Sequence, residues 1–201
     1  MNKKEGTTTK ARIVEAAAEL IHVYGVFATS VDQVLRASGT GKSQFYYHFE
    51  SKEALVHEVL RFQLSRYIAA QEPFIENLDS WKGIKEWLTA LGDQHERREL
   101  LGGCPIGSLA AEMADRDEAL RRELAESFAH WESYLVKGLR SLKARGLLSS
   151  RAEPADLADS MMAAIQGGYL LATTRKDIRP MRSALRAAYS YLRSHRLPKS
   201  G

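Results

Sequence analysis

Apolar residues recur along most of this chain at steps of three and four, the period of an amphipathic helix, and nowhere alternate as a strand would. Ile13, Ala16, Ala17, Leu20, Ile21 and Tyr24 share one face of a first helix, which Thr7, Thr8 or Thr9 can cap and Gly25 is expected to stop. Ser30 can cap a short second helix, with Gln33 completing a capping box and Val31, Val34 and Leu35 as its apolar stripe. Ser38-Gly39-Thr40-Gly41 interrupts the helix, and the pattern resumes over Lys42–His48. Ser51 opens a longer helix to about Gln71, with Leu55, Val56, Val59, Leu60, Leu64 and Tyr67 facing inward and Pro73 as its end or kink.

Beyond that point the stripes lengthen. Residues 74–100 predict one or two helices around Phe74, Trp81, Trp87, Leu88 and Leu91. An irregular Leu101-Gly102-Gly103-Cys104-Pro105-Ile106-Gly107 follows, then a short helix over Ser108–Ala114. Asp117–Arg145 reads as one long helix on Leu120, Leu124, Phe128, Trp131, Leu135, Leu139 and Leu142. Pro154 opens the next helix in its first turn, and Ile178, Met181, Leu185, Ala188 and Leu192 mark the last. The expectation is an all-α fold of about nine helices. An N-terminal three-helix unit over residues 1–60 precedes a C-terminal helical domain over residues 61–201. Apolar surplus on the last two helices suggests a self-complementary seam.

Two short helices joined by a tight turn form a helix-turn-helix, whose second helix enters the major groove of DNA. Lys42, Ser43 and Gln44 occupy the first turn of that helix, the end that reaches base edges. Gln44 can pair bidentately with adenine, Lys42 can reach guanine or a phosphate, and Ser43 can donate to either. Tyr46, Tyr47 and His48 carry groups that commonly bond phosphate oxygens. Thr29 or Ser30, and Lys52 at the next helix start, would present a hydroxyl, amides and a charge to the backbone. Phe45 and Phe49 are expected in the core, and Gly41 leaves the recognition helix without a side-chain cap.

The runs Thr29-Ser30-Val31-Asp32-Gln33-Val34, Ala37-Ser38-Gly39, Phe45-Tyr46-Tyr47-His48-Phe49 and Ser51-Lys52-Glu53-Ala54-Leu55 resemble the TetR family of one-component transcriptional regulators, over roughly residues 7 to 60. That resemblance implies an all-helical homodimer that binds double-stranded operator DNA through its N-terminal domain. It also implies a C-terminal domain that binds a small-molecule inducer and dimerises through the last two helices. It favours Tyr47 as a phosphate contact and Tyr46 near the bases. The Gly-Cys-Pro-Ile-Gly segment is similar to one branch of these regulators that answers drugs and reactive compounds, which makes Cys104 a candidate redox or electrophile sensor. Against that role stands a small buried residue at a loop–helix junction.

Charge adds little. The net balance is +4, and residues 1–55 hold seven Lys or Arg against six Asp or Glu, so a DNA footprint must come from placement. Lys3 and Lys4 sit on an N-terminal arm that can touch phosphates, and the tail after Pro198 is expected to be dispensable. One cysteine makes no internal disulfide, and there is neither a secretory h-region nor an apolar run of membrane-spanning length, so a cytoplasmic protein with no membrane partner is expected. Gly39-Thr40-Gly41-Lys42-Ser43 ends like a phosphate-binding loop, but that motif needs glycine where Arg36 stands. No metal-ligand spacing or nucleophile elbow appears, so no cofactor, no metal and no catalysis are expected. Among the aromatic and polar residues of the second domain, Trp87, His95, Trp131, Tyr134, Gln166 and Tyr169 are the candidate ligand contacts, in a mostly apolar pocket suited to an aromatic or amphipathic molecule. The alternative readings are an architectural DNA-binding protein with no ligand cavity, and a protein-regulated adaptor with an exposed apolar patch.

Overall fold

The structure, a computed structural model, describes residues 8–197. Lys3, Lys4, Thr7 and the tail from Pro198 lie outside those residues. Ten α-helices and no strand occur among the described residues: α1 (Thr9–Ala28), α2 (Val31–Ser38), α3 (Lys42–His48), α4 (Lys52–Ala69), α5 (Glu72–Ile75), α6 (Trp81–Arg97), α7 (Pro105–Met113), α8 (Glu118–Ala144), α9 (Pro154–Arg175) and α10 (Arg179–Ser194). α1 and α4 cross as the frame of the N-terminal unit, with α2 and α3 folded against α1. α4 continues into the second unit, where α7 and α8 pack on it and α9 pairs with α10.

Local chemistry sets most of the helix starts. Thr8 caps α1 by accepting from the Ala11 amide, Ser30 and Gln33 form the reciprocal capping box on α2, and Asp117 caps α8 at Leu120 N–H, 2.9 Å. Gly39 ends α2 at φ 65°, the left-handed conformation that glycine adopts without steric cost.

The structure corrects several boundaries. Gly25 bends the first helix at φ 84° instead of stopping it, and helix resumes to Ala28. α4 ends at Ala69, and Pro73 sits in the first turn of the separate α5. Residues 81–97 are one helix. α7 begins at Pro105, three residues before the expected start, because Pro supplies the first helical position and Cys104 the cap, its Sγ accepting from Gly107 N–H at 3.4 Å.

The core of the second unit is layered by α4, α6 and α8. Trp87 and Trp131 are fully buried, and both indole N–H groups donate to the one Oε1 of Gln71, at 2.7 and 3.2 Å. Gln71 in turn donates from Nε2 to the Tyr67 carbonyl, so this buried polar cluster is satisfied. Along α8 the inward stripe is the expected one with two changes: Gly138 joins it, and Ser127 is buried, its hydroxyl bonded to the Glu123 carbonyl at 2.7 Å, while Phe128 is only half-buried.

Gly168 is where α9 and α10 touch. A Cβ there would lie 3.2 Å from Met181 Cα, whereas one on neighbouring Gly167 would meet nothing within 4 Å. Leu170, Leu171 and Tyr191 stand exposed on the same pair of helices.

Candidate nucleic-acid interface and regulatory cavity

α3 is seven residues long and is held by its aromatic underside. Phe45 and Phe49 are buried with ring centroids 5.4 Å apart, which turns the opposite face outward. On that face Lys42, Ser43 and Gln44 are exposed, and Tyr46 and Tyr47 are 63% and 84% exposed. Their rings touch the fold only edge-on, Tyr46 on Phe45 at 5.3 Å and Tyr47 on His48, so their hydroxyls are available to a partner. His48 is half-buried and stacks edge-on against Tyr47 at 4.9 Å. Lys42 Nζ stands 3.4 Å from Asp32, an exposed pair of little energetic weight. Gly41 offers no side-chain cap, as expected, but Gln44 folds its Oε1 back onto the Gly41 N–H at 3.1 Å. Its Nε2 amide group remains free to donate.

Two expected phosphate contacts turn inward. Thr29 is 2% exposed, and its hydroxyl donates to the Gly25 carbonyl at 2.7 Å. Lys52 Nζ donates to the Val26 carbonyl at 2.5 Å. Both carbonyls lie in the short last turn of α1 that follows the kink at Gly25, where helical amides run out: the Thr29 hydroxyl answers the Gly25 carbonyl, and Lys52 joins the Thr29 N–H, at 3.3 Å, on the Val26 carbonyl. Ser30 stays exposed, with its hydroxyl in the capping box.

The same kink frees two amides, and a residue absent from the sequence reading answers them. Glu112 of α7 accepts from Val26 N–H through Oε2 at 2.7 Å and from Phe27 N–H through Oε1 at 2.8 Å. A bidentate carboxylate from the second unit thus holds the chain where it turns from α1 into α2. Arg116 lies over the Phe27 ring at 4.7 Å and adds to the clasp. No local pattern marks Glu112; the contact spans 86 residues.

Glu112 also lines a cavity of about 600 Å³ between α7 and α9, together with Cys104, Ser108, Gln166, Tyr169 and Thr173. Two of the six expected ligand contacts, Gln166 and Tyr169, line this cavity, and a third, His95, stands behind it against Thr173. Gln166 Nε2 points to Cys104 Sγ at 3.6 Å, the Tyr169 hydroxyl meets the buried Tyr67 hydroxyl at 3.0 Å, and His95 Nε2 meets the Thr173 hydroxyl at 3.2 Å. Burial, aided by the Arg98 and Lys176 charges, lowers the His95 pKa to about 4 and keeps the ring neutral. Burial pushes the Tyr67 and Tyr169 phenols upward, so both stay protonated. The other three residues lie elsewhere. Trp87 and Trp131 belong to the Gln71 cluster, and Tyr134 sits half-buried on α8 beside His130, its hydroxyl 3.3 Å from that ring. Helical spacing aimed both tryptophans inward but could not tell a core layer from a cavity wall.

Cys104 is buried, and desolvation raises its thiol pKa. A thiol held protonated is a weak nucleophile.

The comparisons with known proteins agree with this geometry. Residues 13–59 match the family model of bacterial regulatory proteins of the tetR family, and residues 80–187 match that of the LmrA/YxaF-like transcriptional regulator C-terminal domain. The chain is 32% identical over 176 residues to the HTH-type transcriptional regulator LmrA of Bacillus subtilis, covering 86% of this chain and 90% of that one. It is 31% identical over 183 residues to an uncharacterized HTH-type regulator of Lactococcus lactis, covering 87% and 88%. A TetR transcriptional regulator from Chloroflexus aurantiacus superposes with a TM-score of 0.81 at 27% identity, covering 94% of this chain and 97% of that one. Regulatory protein TetR from Rhodobacter sphaeroides gives 0.81 at 20%, which speaks to the fold, covering 92% and 97%. With the helix-turn-helix, its exposed polar helix face and both halves of the chain matched, this protein belongs to the TetR family of DNA-binding transcriptional regulators.

Proposed function

We propose that this chain acts as a homodimeric repressor, released from a palindromic operator by a small apolar or aromatic inducer, in the cytoplasm. Residues 1–60 form the DNA-binding part and residues 61–201 the inducer-binding and dimerising part. Lys42, Ser43, Gln44 and Tyr46 meet base edges in the major groove, while Tyr47, His48 and Ser30 meet phosphates; Thr29 and Lys52 brace the α1–α2 turn from inside. Leu170, Leu171 and Tyr191, exposed on α9 and α10, support pairing through those helices. Gly167 has room in the single chain that a partner helix could fill.

The observation that carries ligand response is Glu112. It lines the α7–α9 cavity and also grips Val26 and Phe27 at the entry to the helix-turn-helix. A ligand that moves α7 changes that grip, and it shifts DNA affinity by no more than its differential affinity for the two arrangements. The inducer itself is anchored by Gln166 and Tyr169 through its polar groups, with His95 acting from behind the wall on Thr173. A ligand-free architectural protein would have a filled second domain, which the cavity disfavours, and the buried, protonated Cys104 disfavours thiol sensing at rest.

Selection from random duplex DNA at a stated salt concentration tests the reading. A recovered palindrome with half-sites one turn apart, roughly 34–36 Å, or a multiple of it is expected, bound by an even number of subunits in sedimentation. A non-palindromic site bound by a monomer would refute the dimeric repressor.

A further inference from the structure

A second cavity, of about 310 Å³, lies where α1, α4 and α6 meet beside the start of α7, and it shares no lining residue with the α7–α9 cavity. Two of its side chains are more than nine-tenths buried and leave polar atoms with no hydrogen-bond partner: both ring nitrogens of His22 and the Oε1 of Gln63. Gln63 is fixed by its other end, Nε2 donating to the Ala18 carbonyl at 3.2 Å, so its oxygen cannot swing away to water. Orphaned buried acceptors and donors each cost on the order of 1–3 kcal/mol, and a folded chain retains them where something else completes them. At the mouth stand Arg97 and Arg98, at the end of α6, with no ion-pair partner among the described residues, while nearby Arg66 is taken by Glu19 at 2.9 Å. Phe62, Tyr67 and Pro105 supply apolar wall. Burial and the Arg98 charge lower the His22 pKa to about 4, so the positive charge here belongs to the arginines and His22 offers a neutral ring with one donor and one acceptor.

We propose that this junction cavity binds a small aromatic carboxylate with a hydroxyl at the far end of its ring. The carboxylate pairs with Arg97 and Arg98 at the mouth, and the ring lies against Phe62, Tyr67 and Pro105. The hydroxyl donates to Gln63 Oε1 and accepts from the His22 ring N–H. The site joins α1 of the DNA-binding part to α4 and α6, and it is distinct from the inducer cavity. Its binding test does not depend on the repressor reading.

The probe is para-hydroxybenzoate, titrated calorimetrically into the full chain, with nitrogen-detected NMR of the histidine rings. One saturable site per subunit is expected, with a shift of the His22 ring nitrogens. Benzoate, which lacks the hydroxyl, should bind about tenfold more weakly. The double variant Arg97→Ala/Arg98→Ala, both changes on exposed side chains, should lose binding while keeping its helical circular dichroism. No saturation at millimolar probe, binding retained in the double variant, equal affinity for benzoate, or an unmoved His22 signal would each overturn the proposal.

Discussion

The clasp between Glu112 and the α1 kink gives the sharpest quantitative expectation. Glu112→Ala removes two charge-assisted hydrogen bonds, 2.7 Å to Val26 N–H and 2.8 Å to Phe27 N–H. Bonds to charged groups contribute about 1.5–3 kcal/mol net where no water can replace them. Phe27 is exposed, so water takes over that amide and most of its share is recovered; Val26 is buried, and its amide is the one left without an acceptor. The expected loss is therefore about 2 kcal/mol, near the single-bond figure instead of twice it. Glu112→Gln keeps one acceptor oxygen and should lose about half as much. Urea unfolding followed by circular dichroism, at fixed subunit concentration, reads the total. Amide hydrogen exchange reads the place: Val26 should exchange about 30-fold faster, the equivalent of 2 kcal/mol. A stability change under about 0.5 kcal/mol with unchanged exchange at Val26 and Phe27 would sink the idea that this carboxylate holds the turn.

Three further outcomes follow from the geometry. Lys42→Ala should lower the salt slope of DNA binding by about one without changing stability, while Lys52→Met should lower stability and leave the slope alone; the reverse pattern would return Lys52 to the phosphates. His22 and His95 are held neutral with pKa values near 4, below the ordinary 6.5, so the unfolded chain takes up protons first as pH falls. The stability they contribute is present above about pH 6.5 and drains as pH drops toward 4, so the urea midpoint at about pH 5 should lie below that at about pH 7.5; an equal or higher midpoint contradicts burial as the cause. Gly168→Ala should cost about 1–3 kcal/mol as its Cβ pushes on Met181, whereas Gly167→Ala should leave subunit folding intact and weaken dimerisation; a folding loss for Gly167→Ala in a chain that still dimerises would move the seam elsewhere.

Much of the helix-turn-helix was legible because its signals are local. The Ser30–Gln33 box, the left-handed Gly39 and the resumption at Lys42 are all decided within four residues; α3 comes out with the expected bounds, and α2 runs one residue further, through Ser38. Thr29 and Lys52 went inward for a non-local reason. Gly25 reads as a stop, and only the resumed helix beyond it creates carbonyls that need those donors. Glu112 was out of reach, since its partners are backbone amides freed by that same kink. The aromatic inventory was legible as apolar but not as to neighbours. Gln71, expected only as a helix end, draws Trp87 and Trp131 into one polar core cluster, whereas the cavity falls to Cys104, Gln166 and Tyr169, between α7 and α9.

The folded-back Gln44 has a consequence for how such a regulator changes its target. In the proposed interface one side chain both offers an amide to the groove and closes the first turn of a seven-residue helix on Gly41 N–H. A mutation that alters the first task also loosens the second, unless the new residue is Glu, which can still accept from that amide. Drift toward a new operator should therefore run through Lys42, Ser43 and Tyr46, which close no turn of the helix, while Gln44 stays until Gly41 has first been exchanged for a residue that caps by itself. Retargeting the protein by design should take the steps in that order: Gly41 to Ser or Asp, then Gln44.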